Sequence, residues 1–511
     1  MRPEQRSRTL LGITRSKAKM FEYDVPARYH IDIPQDPARL FTLSIGMLGD
    51  LAARSQNGTS DADLNSLGEN LQFSARFFDA YMQTRLNPGI DPYVMLLSAA
   101  SFYLCDLPGS SVVMARQLGN KAPDLGGEGL DDLLRWILQG NLAVTLDEPA
   151  GNYRDAIIGI SRLTRQFFTD GSGSDDLLAL CGQLRSKAYD TGTPRQLLLA
   201  DVVGSVVRKK YRNSSWYALP QYTALPPKLW LNALQKPSFI RELWPAQHLL
   251  GRSGVLQGKS AVVQMPTSAG KTKATELIIR SAFMAERTSL AVIVAPFRAL
   301  CHEIKNSLVS AFRNEPVNVD ELSDVMQGDF EIAELLGGKQ ILVVTPEKFV
   351  YVLRHTPELA ANIGVLIFDE GHQFDSGTRG ITYELLITSL KSMVPATVQK
   401  ILISAVISNA DAVAAWLNGA GSEIVSGQML VPTFRTVAFA SWRDALGRLE
   451  FVDESDADKD EFFVPRVIEQ LTLKRRKGER KDRVFPERSD GQAVALMCPT
   501  SAEMGPFETA S

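Results

Sequence analysis

"SAVVQMPTSAGKTKATELIIRSAF", Ser260 to Phe283, decides how the middle of the chain folds. It opens on an apolar, β-branched run, turns through a short segment closing in Gly270-Lys271-Thr272, and continues in a helical pattern. A strand, a tight turn and a helix in that order expose backbone N–H groups at a helix N-terminus, where they converge on anionic oxygens. Gly270 has no side chain to block the approach of phosphates, Lys271 reaches the terminal phosphates, and Thr272 supplies a hydroxyl to Mg²⁺. Thr267, Ser268 and Ala269 complete the turn, while Met265 stands where the generic pattern has its first glycine. Gly-Lys-Thr alone occurs by chance. Its position between a strand and a helix gives it weight.

Outward from this stretch, "LAVIVA", "QILVVT", "GVLIFD" and "KILISA" repeat the short apolar run and alternate with helical stretches. Continuous apolar strands alternating with helices predict a parallel sheet covered by helices on both faces. We place this α/β domain at 226–445. In an open parallel sheet ligands bind at the carboxyl ends of the strands, so loops after different strands meet on one edge. "GVLIFDEGH" delivers Asp369 and Glu370 to that edge. Asp369 is the candidate for holding Mg²⁺, and Glu370 for orienting and activating the attacking water. An ordinary acidic loop is the plain alternative, and the two motifs lying in order in one α/β domain weigh against it.

Ahead of this domain, from about Leu40 to Tyr211, apolar residues recur at three- and four-residue steps, as in "PYVMLLSAASFYLCDL" and "YRDAIIGISRLTRQFF", which predicts amphipathic helices. We read 1–225 as an all-helical N-terminal domain. The Pro- and aromatic-rich stretch from Trp216 to Trp230 reads as a boundary. Arg208, Lys209, Lys210 and Arg212 beside Tyr211, Trp216 and Tyr217 form either a basic stacking surface or, more commonly, a solvated helix end. Beyond the α/β domain, an acidic tract (Asp453 to Glu461) and a basic one (Lys474 to Arg483) read as solvated surface or linker.

Bulk properties narrow the classes. The chain has 511 residues, 45% hydrophobic and 22% charged, with a net charge of -3. That suits two or three globular domains and excludes a wholly basic, histone-like protein, but leaves room for a local basic track. Four scattered cysteines without a CxxC pair suggest neither a zinc site nor a disulfide framework. No apolar run approaches the ~20 residues needed to span a bilayer. The basic N-terminus lacks the apolar core of a secretory signal. The expectation is a cytoplasmic protein without a membrane partner.

"DEGH" and "PTSAGKT" together resemble the Asp-Glu-x-His box and the first motif of superfamily 2 helicases, a family in which the first glycine of the loop is commonly replaced. Further motifs follow in the family's order. "LWPAQ" puts Gln247 where the family has an adenine-contacting glutamine. "APFRALCHE" places Pro296 and Arg298, with Ala299 and Leu300, on the nucleic-acid side. "QGD" (Gln327 to Asp329) and "TPEK", with Thr345 and Pro346, look like the next two motifs. "SAVISN" stands where the family has Ser-Ala-Thr, with Val406 as the departure. The resemblance assigns His372 and Ser404 to coupling the nucleotide site to nucleic acid. "DEGHQFDSGTRGITYE" is most similar to the superkiller-like branch of DExH helicases, over roughly residues 229–445.

What the resemblance implies is an α/β RecA-like P-loop domain that uses ATP and Mg²⁺ to move along one strand of nucleic acid, DNA being favoured over RNA. A helical domain ahead of such a core resembles the arrangement in bacterial anti-phage helicases of the Hachiman kind, which implies a nuclease partner subunit. The family also implies a second RecA-like domain bringing arginines to the terminal phosphate. "GQAVALMCPTS" (Gly491 to Ser501) resembles its opening strand, so 446–511 reads as a linker and an incomplete start of that domain, and the chain as truncated and poorly active alone. The alternative is a non-processive, ATP-dependent nucleic-acid-binding or regulatory module.

Overall fold

The computed structural model describes residues 2–33, 38–84, 91–119, 126–143, 146, 151–266, 269–321, 338–371, 377–405, 407, 409–419, 422–427, 430, 432–434, 436–443, 446–453, 456–469, 471–475, 480–485 and 493–497. The chain divides into two compact units. One comprises 1–167, 172–209 and 433–511, the other 168–171 and 210–432.

The second unit is built on a parallel sheet. Its strands are β1 (Ala261–Gln264), β2 (Leu290–Val294), β3 (Val317–Glu321), β4 (Lys339–Val344), β5 (Ile363–Phe368), β6 (Gln399–Ser404) and β7 (Glu423–Ser426), in the order β3-β4-β2-β5-β6-β1-β7. Successive side chains of a strand point to opposite faces, and the burial follows that alternation. Val263, Ile293, Val343, Ile367 and Ile403 enter one core, packed by Trp230, Leu250, Leu277, Ile278 and Leu308. Val262, Val292, Leu342, Leu366 and Leu402 enter the other, packed by Phe349, Leu353, Leu386 and Leu417. Both faces are therefore covered, as the continuous apolar runs predict, and the architecture is RecA-like. The helices of the unit include Pro245–Arg252, Lys271–Met284, Arg298–Ala311, Pro346–His355 and Gly377–Met393. The Pro-rich stretch read as a boundary folds here into two short helices, Ser215–Thr223 and Pro227–Leu234. The fully buried Trp230 donates its indole N–H to Thr223 Oγ1 at 3.3 Å.

The first unit is helical from Gln5 through the helix that begins at Pro194. Among the described residues, its later segment carries strands. Residues 436–443 (β8), 446–453 (β9) and 456–469 (β10) form an antiparallel meander, and Ala493–Met497 pairs antiparallel with β8. Met20, near the end of the first helix, and Val25, just after it, pack with Ala438, Leu449, Phe451, Phe462 and Val464 on the meander's apolar face. Alternating apolar residues in "RLEFVD" and "EFFVPRV" supply that face. The charge of the acidic tract obscures it in the sequence. Residues 498–511 lie outside the described residues.

Candidate active site

The sheet order brings five strand ends side by side along one edge, β4-β2-β5-β6-β1. Thr345 and Pro346 follow β4, Pro296 and Arg298 follow β2, Asp369 and Glu370 follow β5, Ser404 ends β6, and the Gly270-Lys271-Thr272 turn follows β1. Neighbouring strands are about 4.8 Å apart, so the row spans roughly 19 Å.

The exit of β1 is tied on both sides. Met265 N–H donates to Ser404 O at 2.8 Å, and Gly427 N–H donates to Gln264 O at 2.8 Å. Gln264 Nε2 also reaches Ile407 O at 2.7 Å. Met265 is fully buried in the core beneath the loop, so the residue that breaks the generic glycine pattern points inward. Gly270 caps the following helix in the left-handed region, φ 84°. A Cβ there would sit 2.8 Å from Gln247 Nε2, so the position needs glycine on two counts. The Lys271 side chain runs under cover, 10% exposed, to place Nζ 2.9 Å from Glu370 Oε1. Thr272 is exposed in the first turn of the helix.

Gln247, expected at the adenine, is 2% exposed and engaged within the protein. Its Oε1 accepts from Trp244 N–H at 2.8 Å, closing the start of its own helix, and its Nε2 donates to Ala269 O at 3.0 Å. It thus ties the back of the Gly270 turn to the start of its own helix. On the acidic side, Asp369 N–H donates to Val294 O at 2.9 Å, and Asp369 Oδ1 accepts from Glu370 N–H at 3.0 Å. Glu370 has φ 51°, an unusual value for a residue with a side chain. Tyr383 lies behind this loop, and its hydroxyl donates to Asp369 O at 2.9 Å. Burial, followed by the nearby charges of Asp369 and Glu370, pushes its pKa far above the ordinary tyrosine value, so the hydroxyl stays a donor.

Ser404 is fully buried between β5 and β1. Arg298 is exposed at the start of its helix, whereas Thr345 is only 7% exposed and Pro346 is buried as the first residue of its helix. Thr267, Ser268, His372, Val406 and the "QGD" motif lie outside the described residues. Of the basic and aromatic cluster near residue 210, Lys209 pairs with Asp106 and Lys210 with Glu242, and Tyr211 packs against Tyr217 at 4.6 Å. Two of its cations are neutralised. Sequence reasoning passed over Tyr383, whose spacing to Leu386 and Leu390 reads only as a core face.

The donor set suits a nucleotide with a hard divalent cation. An exposed hydroxyl (Thr272) and a half-buried carboxylate (Asp369) offer the oxygen ligands that Mg²⁺ takes. The helix N-terminus and Lys271 offer the positive field that phosphates take.

Residues 248–413 match the family model described as DEAD/DEAH box helicase, so the segment that carries this edge is a DEAD/DEAH box helicase domain. Among curated proteins, the chain is 29% identical over 267 residues to "Hachiman protein HamB" of Bacillus cereus, covering 51% of this chain and 23% of that protein. It is 36% identical over 183 residues to "ATP-dependent DNA helicase Hel308" of Pyrococcus horikoshii, covering 35% and 24%. The matches thus span about a quarter of the length of these relatives. A solved complex of S. cerevisiae dbp5 with gle1 and ip6 aligns over 40% of this chain and 50% of that one at 18% identity, with a TM-score of 0.32. Among the described residues no helix is long and apolar enough to cross a membrane.

Proposed function

We propose that this chain is the ATP-hydrolysing part of a DExH helicase or translocase that acts on one strand of nucleic acid, DNA in preference to RNA. The observation that carries the reading is the meeting of Lys271 and Glu370, 2.9 Å apart across the ends of β1 and β5, inside the segment that matches the helicase model. Lys271 neutralises the terminal phosphate oxygens once its pair with Glu370 opens, and the loop N–H groups after Gly270 hold the remaining oxygens. Glu370 then orients the attacking water and accepts its proton. Thr272 and Asp369 would hold Mg²⁺, which when bound would offset the charge developing on the phosphates. Ser404, sharing backbone hydrogen bonding with the phosphate loop, relays its state along the edge towards Arg298 and Thr345.

The DNA preference draws on the relative named as a DNA helicase, and a role in anti-phage defence beside a nuclease partner draws on the resemblance to helicases of the Hachiman kind, which the likeness to a Hachiman protein supports. The test is ATP turnover by the purified chain alone, with single-stranded DNA and with single-stranded RNA. DNA should stimulate turnover more than RNA, and binding should weaken steeply with added salt as counterions are released. Measurable turnover that is equal under all three conditions would refute the motor reading, while nucleotide-dependent binding without stimulation would favour a non-processive binding module.

A further inference from the structure

The peptide that joins Asp369 to Glu370 is clamped at both ends. Its N–H, on Glu370, donates to Asp369 Oδ1 at 3.0 Å. Its carbonyl, on Asp369, accepts from the Tyr383 hydroxyl at 2.9 Å. Val294 O lies farther from that hydroxyl, at 3.4 Å, and a phenol has one proton to donate, so the Asp369 carbonyl takes it. Tyr383 cannot easily shift. It is 1% exposed, on the helix Gly377–Met393, with its ring edge-on to Phe368 at 6.1 Å between centroids.

A peptide group is planar, so its C=O and N–H turn together. Turning the Asp369 carbonyl away from Tyr383 would swing the Glu370 N–H off Asp369 Oδ1 and release the Asp369 carboxylate. It would also change the backbone angles that hold Glu370 at φ 51°. Packing alone does not call for this hydroxyl, since phenylalanine would fill the same space against Phe368. We propose that Tyr383 is a positioning residue, whose hydroxyl sets the peptide plane between the two carboxylates and so aims Asp369 at Mg²⁺ and Glu370 at the attacking water. This rests on the nucleotide reading of the site.

The experiment uses the full chain and mant-ATP, a fluorescent ATP analogue, first in EDTA and then titrated with Mg²⁺, for wild type, Tyr383→Phe and Lys271→Ala. Far-UV circular dichroism of each variant reports folding. Tyr383→Phe, which keeps the ring, should match wild type in EDTA but need on the order of 10-fold more Mg²⁺ for half-maximal tight binding, the usual cost of losing a partner behind a metal ligand. Adding Thr272→Ala to Tyr383→Phe should leave no Mg²⁺ response. Superimposable Mg²⁺ titrations for Tyr383→Phe and wild type would overturn the proposal. So would equal weakening of Tyr383→Phe with and without Mg²⁺, which marks a structural role only. Undiminished mant-ATP binding by Lys271→Ala would instead overturn the nucleotide reading itself, and the positioning role with it.

Discussion

Lys271 and Glu370 hold each other before any phosphate arrives, and that pairing makes their substitutions differ in kind. On the proposed reading, removing the ammonium deletes the main point charge on the terminal phosphates. Lys271→Ala should therefore weaken ATP binding and lower kcat by on the order of 10²–10³. Glu370→Gln loses the base but also frees Lys271 from its ion pair. It should bind ATP at least as tightly as wild type while turnover falls by about 10²–10⁴. Calorimetric titration with ATP beside a phosphate-release assay separates the two, and loss of binding in Glu370→Gln would contradict the assigned roles. The placement of both residues at strand ends is legible in the sequence because a strand, a turn and a polar residue at the strand's end are encoded within a few consecutive positions. Met265 is not legible in the same way. Only the packed core under the loop shows that its side chain turns inward.

At the scale of elements, the phosphate loop depends on how a strand hands over to a helix. Gly270 makes that turn at φ 84°, with Gln247 pressed against it. Gly270→Ala should lose about 1 kcal/mol or more from the backbone conformation alone and push Gln247 off Ala269. The readouts are a lower unfolding midpoint in urea together with weaker ATP binding, and an unchanged midpoint would show that the turn tolerates a side chain. Motif order alone assigns Gln247 to the adenine. The structure adds that its amide joins the N-terminus of one helix to the loop before another. That contact spans more than twenty positions in the chain, beyond the reach of any local periodicity.

Across the molecule, the first unit joins segments from opposite ends of the chain. Arg15, 8% exposed at its side chain, pairs with Glu461, which also accepts from Arg76 at 3.2 Å. The same guanidinium lies 4.6 Å over the Phe462 ring. Glu461→Ala leaves a buried guanidinium without its carboxylate and should destabilise this unit by on the order of 3 kcal/mol, measured by denaturant unfolding of the full chain. A shift of under a few tenths would mean the cluster is solvated. Asp79, near Lys19, Glu22 and Arg15, has its pKa raised to about 6, chiefly by burial and then by Glu22, against the pull of the two cations. Its folded-state value thus lies above the unfolded value of about 3.9. Asp79 therefore favours the folded state fully below about pH 4, and that contribution declines as pH rises towards 6 and beyond. Asp79→Asn should flatten this fall between pH 4 and 7, and identical pH profiles for the two proteins would refute it.

Strand, turn and helix types, their alternation, and the order in which the Gly270 turn and the Asp369–Glu370 pair follow their strands could be read from residues close together in the chain. Backbone hydrogen bonding and side-chain period act over just such short spans. The sheet order, β3-β4-β2-β5-β6-β1-β7, could not be read that way, and it alone sets Ser404 between Asp369 and the phosphate loop. The same holds for Tyr383 behind the Asp369–Glu370 peptide and for the strands after residue 436 packed on the first helix. These contacts join positions from fourteen to more than four hundred residues apart. Which of many apolar or polar partners meets which is decided when the whole core closes, because burial rewards complementary shape and satisfied hydrogen bonds rather than proximity in the chain.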